Sequence, residues 1–152
     1  MSTPGSHAAS PVRALLDRYA LAVHDKDAEA FASLYATDVQ VFDAWGRWVY
    51  QGRDAWFEMA RSWFGSVPRD ERIEAIAGDV AVLLEGGFAM ARGFMVYRAV
   101  SLDGAELRSM TNRFTWVLRK SGENWQVIHE HTSVPLDFHT KAMLRSDPAH
   151  DA

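Results

Sequence analysis

"FTWVLRKSGENWQVIHEHTSVP", residues 114–135, decides the fold. Two alternating apolar runs flank "KSGEN", a cluster of turn-forming residues, so the stretch reads as an antiparallel hairpin. A four-residue loop from Lys120 to Glu123 sets Arg119 opposite Asn124 and Arg113 opposite Glu130. In that register Phe114 meets His129 and Asn112 meets His131. One face of the hairpin then carries Arg113, Thr115, Glu130 and Thr132. The other carries Trp116, Trp125, His129 and His131. Both faces are too apolar for open water, so each needs a cover. Helices of the same chain cover one, and the expectation for the other is a second copy of the chain. A homodimer packed through Trp116, Trp125, His129 and His131 follows, with tryptophan in the interface core.

The rest of the sequence places this hairpin in an α+β protein. Of the 152 residues, 48% are hydrophobic and 24% charged, an ordinary balance for one globular domain. A net charge of −4 argues against nucleic acid or an anionic membrane as partner. No apolar run approaches a membrane span, and "MSTPGSHAAS" lacks the blocks of a signal peptide, so the expected location is cytoplasmic. The absence of cysteine removes disulfides, thiolate metal sites and cysteine nucleophiles. Six tryptophans exceed the needs of a core this size, which suits the interface reading. Residues 1–9 and 145–152 read as disordered ends around one domain over 10–144.

Ser10-Pro11 starts a helix, and Val12, Leu15, Leu16, Tyr19 and Val23 give it one apolar face. Asp27 caps a second helix running through Phe31, Leu34 and Tyr35. Alternation in "TDVQVFDAWG" puts Val39, Val41 and Asp43 on one side of a strand, with "WVY" returning after a turn. Asp54 caps a third helix along Trp56, Met59, Ala60 and Trp63, and Gly65 ends it. From Arg72 the pattern is strand-like, interrupted at "AGD", "EGG", "LDG" and "KSGEN". Three N-terminal helices followed by an antiparallel meander make a segregated α+β fold.

"RYALAVHDKDAEAFASLYATDVQVFDAWGRWVYQGRDAWFEMA" resembles the opening helices, "LYA-D" joint, short hairpin and "GRDA" helix start of the nuclear transport factor 2-like superfamily. Its SnoaL-like and ketosteroid isomerase-like members are the nearest in pattern. The closing hairpin is similar to theirs as well. Its W-x-x-x-H-x-H-x-S-x-P spacing is also similar to the association domain of calcium/calmodulin-dependent kinases. The resemblance implies a cone, with helices packed in a strongly curved antiparallel sheet around a ligand pocket. It puts Asp43 where the isomerases hold their proton-abstracting aspartate, and Tyr19 where they hold an oxyanion-stabilising tyrosine. Thr115 stands where they have a protonated aspartate, a departure from the isomerase pattern. It also turns Thr115, Glu130 and Thr132 toward the pocket, with the histidines outward.

Each candidate has a plain structural reading beside the functional one. Asp43 either braces the turn "DAWG" or, desolvated beside Val39 and Val41, acts as a base. Tyr19 is either core or a hydrogen-bond donor to a ligand. Arg113 and Glu130 are either a surface ion pair or the polar end of a pocket for a carbonyl or carboxylate ligand. His129 and His131 share a strand face, as metal ligands do, but no third ligand is nearby, so packing is the preferred reading and no metal is expected. No phosphate loop, dinucleotide fingerprint or serine triad is present. Two functions follow: cofactor-free isomerisation, cyclisation or dehydration of a small apolar carbonyl compound, or a non-catalytic ligand-binding or oligomerisation module.

Overall fold

Pro11, with its fixed φ, opens the first helix, and the apolar face expected from the spacing is the buried one: Val12, Leu15, Leu16, Tyr19 and Val23. The computed structural model describes residues 11–146, so Ser10 and most of both ends lie outside the described residues. The elements are α1 (Pro11–Asp25), α2 (Ala28–Ala32), β1 (Tyr35–Phe42), β2 (Tyr50–Gln51), α3 (Arg53–Ser66), β3 (Glu71–Glu85), β4 (Phe88–Ser101), β5 (Glu106–Ser121) and β6 (Asn124–Ser133). One curved sheet has the order β2-β1-β6-β5-β4-β3, and the helices cover its inner face.

Several boundaries depart from expectation. Asp27 caps α2 through the Ala30 amide at 3.0 Å, but the helix ends at Ala32 and Tyr35 opens β1 instead. β1 and β2 therefore stand between α2 and α3. Gly52, not Asp54, precedes α3, and the helix passes Gly65 to end at Ser66. "AGD" is a bulge inside a continuous β3, with Asp79 at φ 51°, rather than a turn between strands. The sheet is not wholly antiparallel, since β1 runs parallel to β6. Arg145, expected in the disordered tail, accepts the Thr111 N–H at 2.9 Å.

The decisive correction lies in the hairpin. Its loop is only Gly122 and Glu123, with Ser121 opposite Asn124. Gly122 has φ 62°, the left-handed first position that a tight two-residue hairpin turn favours. Leu118 then pairs with Val127 but Val117 pairs with His129, so Ile128 is an extra residue in β6. A one-residue bulge moves every later side chain to the other face. Beyond it Trp116 meets Glu130, Phe114 meets Thr132 and Arg113 meets Ser133. Arg113 and Glu130 are therefore not neighbours.

The bulge also divides the four residues assigned to the dimer interface. Trp116 is 1% exposed in the core, and Trp125 packs against that core. His129 and His131 lie on the outer face, where Phe42 meets their rings edge-on at 5.0 and 5.6 Å. The inner face carries the main hydrophobic cluster, with Phe31 in contact with Tyr19, Tyr35, Trp56, Trp63 and Phe64. Most of the tryptophan surplus is therefore spent on the inner side of the sheet.

Candidate functional site

The helices do not fill the concave side of the sheet. A cavity of about 400 Å³ remains, of a size that suits a small organic molecule. α1 contributes Tyr19, α2 Phe31, and α3 Trp56, Met59 and Trp63. Ile73, Tyr97, Met110, Asn112, Glu130 and Thr132 come from β3 to β6, the segment after β1 adds Asp43, Trp45 and Gly46, and β2 adds Tyr50. The walls are largely aromatic and apolar. The polar atoms concentrate in three groups, and none of the lining residues is a lysine, arginine or histidine.

Glu130 anchors the first group. The Tyr35 hydroxyl donates to its Oε1 at 2.7 Å, and the Trp116 indole N–H donates to the same oxygen at 2.6 Å. Burial raises the Glu130 carboxyl to about 7; the two donors oppose that shift, and the charge of Asp43 adds to it. Tyr19 and Tyr97 form the second group, their hydroxyls 2.7 Å apart. Burial raises both phenols, so both stay protonated at neutrality; one hydroxyl donates to the other, and the second proton is left for a ligand.

Asp43 is the third group. It follows the last residue of β1, in phase with the buried Val39 and Val41. The Thr132 hydroxyl donates to its Oδ1 at 2.7 Å while accepting the Ala44 N–H at 2.9 Å. Burial raises the Asp43 carboxyl; the Thr132 hydroxyl and the Trp45 and Ala44 amides oppose the shift without cancelling it. Asp43 is thus both braced in its turn and desolvated on a cavity wall.

Of the residues singled out from the sequence, Asp43, Tyr19, Glu130 and Thr132 come together around the cavity. Arg113 and Thr115 do not. Arg113 is exposed and its Nε donates to Ser133 Oγ at 3.1 Å, while Thr115 pairs with Arg92 and His131 on the outer side. The bulge at Ile128 is the physical reason for both misplacements. Sequence reasoning missed Tyr35, Tyr97, Trp116 and Asn112. Tyr97 alternates with the buried Met95 and Ala99, a signal that becomes usable once the inner face of β4 is known. Tyr35 was hidden by its assignment to a helix. Two buried polar atoms on these walls, Trp56 Nε1 and Asn112 Oδ1, have no hydrogen-bond partner. Among the described residues no three His, Cys, Asp or Glu side chains are grouped to hold a metal ion.

This arrangement of helices, sheet and cavity can be set beside known proteins. The profile of the SnoaL-like domain matches residues 12–137. The chain belongs to the SnoaL-like domain family. Its fold is that of the nuclear transport factor 2-like superfamily, as expected from the opening helices and the closing hairpin. An NTF2-like protein of unknown function from Pseudomonas putida KT2440 is 29% identical with a TM-score of 0.79, covering 94% of this chain and 97% of that one. A Xanthomonas campestris protein assigned as a calcium/calmodulin-dependent protein kinase II association domain is 21% identical, TM-score 0.70, covering 88% and 91%. A Novosphingobium aromaticivorans protein assigned as an aromatic ring hydroxylase is 19% identical, TM-score 0.68, covering 81% and 85%. Among curated proteins none matches the sequence. The last two structures share the fold of this SnoaL-like chain and carry unrelated assignments, so function must be argued from the cavity. No helix among the described residues is long and apolar enough to cross a membrane.

Proposed function

We propose that this SnoaL-like protein is a cofactor-independent proton-transfer enzyme acting on a small, neutral, mainly apolar carbonyl compound. Asp43 is the base, and the Tyr19–Tyr97 hydroxyl pair polarises the carbonyl. The observation that carries this reading is a carboxylate on the wall of an aromatic cavity whose pKa stays raised although the Thr132 hydroxyl and the neighbouring Trp45 and Ala44 amides favour its charged form. A base poised upward from the ordinary aspartate range takes a carbon-bound proton more readily than a solvated one. With two carboxyl groups and no basic side chain on the walls, an anionic ligand is disfavoured. The ligand class therefore narrows from carbonyl or carboxylate to neutral carbonyl.

The braced geometry of Asp43 favours a second reading, a binding protein with the same cavity and no turnover. Benzylacetone in D₂O separates the two. An enzyme exchanges the hydrogens beside the ketone, seen by proton NMR, and Asp43→Asn slows exchange at least about 100-fold. A protein that is stabilised by benzylacetone against thermal unfolding, yet leaves its hydrogens in place, is a binding protein.

A further inference from the structure

Resting on that reading, we infer that Glu130 is a second catalytic residue, a general acid, and that the reaction is elimination of water from a β-hydroxy carbonyl compound. This cavity holds a second carboxyl beside the proposed base, and its hydrogen bonds fix where that carboxyl carries its proton.

Tyr35 and Trp116 both donate to Oε1 of Glu130, so that oxygen already accepts two hydrogen bonds. A protonated carboxyl oxygen keeps less capacity to accept, so the proton of the acid form belongs on Oε2. No described side chain donates to Oε2, and Glu130 lines the cavity. The Trp116 indole, which can only donate, and the Tyr35 hydroxyl are thus both aimed at one oxygen, and the other is left for a ligand. Trp116, directly opposite on β5, and Tyr35, at the start of β1, are both under 2% exposed, so the orientation is held by the core. The carboxyl's rise to about 7 leaves both its acid and its ionised form populated near neutrality, as a group that gives up a proton and regains it requires.

Placement relative to Asp43 completes the argument. Val41 pairs with Glu130 across the parallel β1–β6 ladder, and Asp43 lies two residues further along the same side. The offset is roughly 7 Å along the strand, room for the carbon bearing the acidic hydrogen and the carbon bearing the hydroxyl. Asp43 removes the hydrogen next to the carbonyl, and that electron pair becomes the new carbon–carbon double bond. The bond from the β carbon to its hydroxyl breaks while Glu130 delivers the Oε2 proton to the departing oxygen. The substrate loses one water in total. Asp43 ends protonated and Glu130 ionised, and solvent returns the proton after the product leaves.

The test uses the aldol adduct of benzaldehyde and acetone, whose dehydration to benzylideneacetone is read by ultraviolet absorbance. Benzylacetone has the same skeleton without the hydroxyl, and its deuterium exchange reports the base alone. The expected result is dehydration by the wild type. Glu130→Gln keeps the Oε1 acceptor and a donor at the other position but has no proton to give. It should lose dehydration at least about 100-fold and at least tenfold more than it loses exchange. Equal losses of both rates overturn the inference, because Glu130 then only supports the site. A wild type that exchanges benzylacetone but does not dehydrate the adduct also overturns it, while leaving Asp43 as a base. Neither reaction in the wild type removes both proposals.

Discussion

Trp116 and Glu130 sit directly opposite one another on β5 and β6, joined by a 2.6 Å hydrogen bond, only because Ile128 is an extra residue in β6. In an unbulged ladder that kept Ile128 in register, Glu130 would pair with Thr115 and face the other side of the sheet. Trp116→Phe keeps the ring and removes the donor. Its loss from smaller volume is the same at every pH, but the loss from the missing N–H depends on whether Glu130 is charged. We expect roughly 1–3 kcal/mol more destabilisation at pH 8 than at pH 5, measured by urea unfolding. A pH-independent difference would mean that Glu130 does not ionise in the folded protein.

Glu130 itself should cost stability as pH rises. Its folded pKa, about 7, is above the ordinary carboxylate value of 4.5, so the folded state binds more protons between the two. Stability is unaffected below the lower value and is lost as pH rises through the upper one. A shift of this size corresponds to about 3 kcal/mol. Glu130→Gln removes the cost and should be more stable than wild type at pH 8, with the advantage vanishing near pH 4. A Gln variant that is less stable at pH 8 would show that the carboxylate form is the one the fold prefers.

These two residues also show what was legible beforehand. Helix faces, the strand phase of Asp43 and the family were readable, because each rests on a local period that nothing later disturbs. Glu130 and Thr132 were assigned to the cavity and Arg113 and Thr115 with them, yet only the first pair lines it. A bulge has no compositional signature in "WQVIHEH", since Ile128 suits either face of a strand. The turn was misjudged for a related reason: "KSGEN" allows both a four-residue and a two-residue loop, and the choice depends on pairing over the whole hairpin. Tyr35 was lost because "ASLYA" continues a helical period that ends at Ala32, and tertiary pairing with β6 decides that boundary.

The outer face of the sheet keeps Phe42, Val117 and His129 half-buried in an isolated chain, with Leu83 and Phe88 exposed at the tip of the β3–β4 hairpin. We expect self-association through this face at micromolar concentration, measured by light scattering. Val117→Asp should yield monomers, since a charge left in an interface core costs several kcal/mol. Trp116→Asp is no test of association, because Trp116 is a core residue and the charge would unfold the chain. A monomeric wild type would dismiss the homodimer.

Asp43 is the residue on which the enzymatic reading depends, and its two roles make opposite demands on stability. Burial raises its pKa, and the donors from Thr132, Trp45 and Ala44 pull it back without restoring the ordinary value. A raised carboxyl pKa means the folded state holds the proton to higher pH than the unfolded chain does. Stability is then intact below the unfolded pKa and declines as pH climbs through the folded one. Asparagine at this position keeps an oxygen for the Thr132 hydroxyl and cannot ionise, so Asp43→Asn should raise the melting temperature at neutral pH. In acid, where the aspartate is protonated, the two proteins should melt alike. The same variant should lose benzylacetone exchange at least about 100-fold, because no base remains beside the substrate. A stabilised protein that has lost exchange is what a strained catalytic carboxylate produces. If the variant instead melts lower at neutral pH and carboxylate titration by NMR finds Asp43 depressed, bracing outweighs burial. Asp43 is then a turn residue, and the cavity belongs to a binding protein.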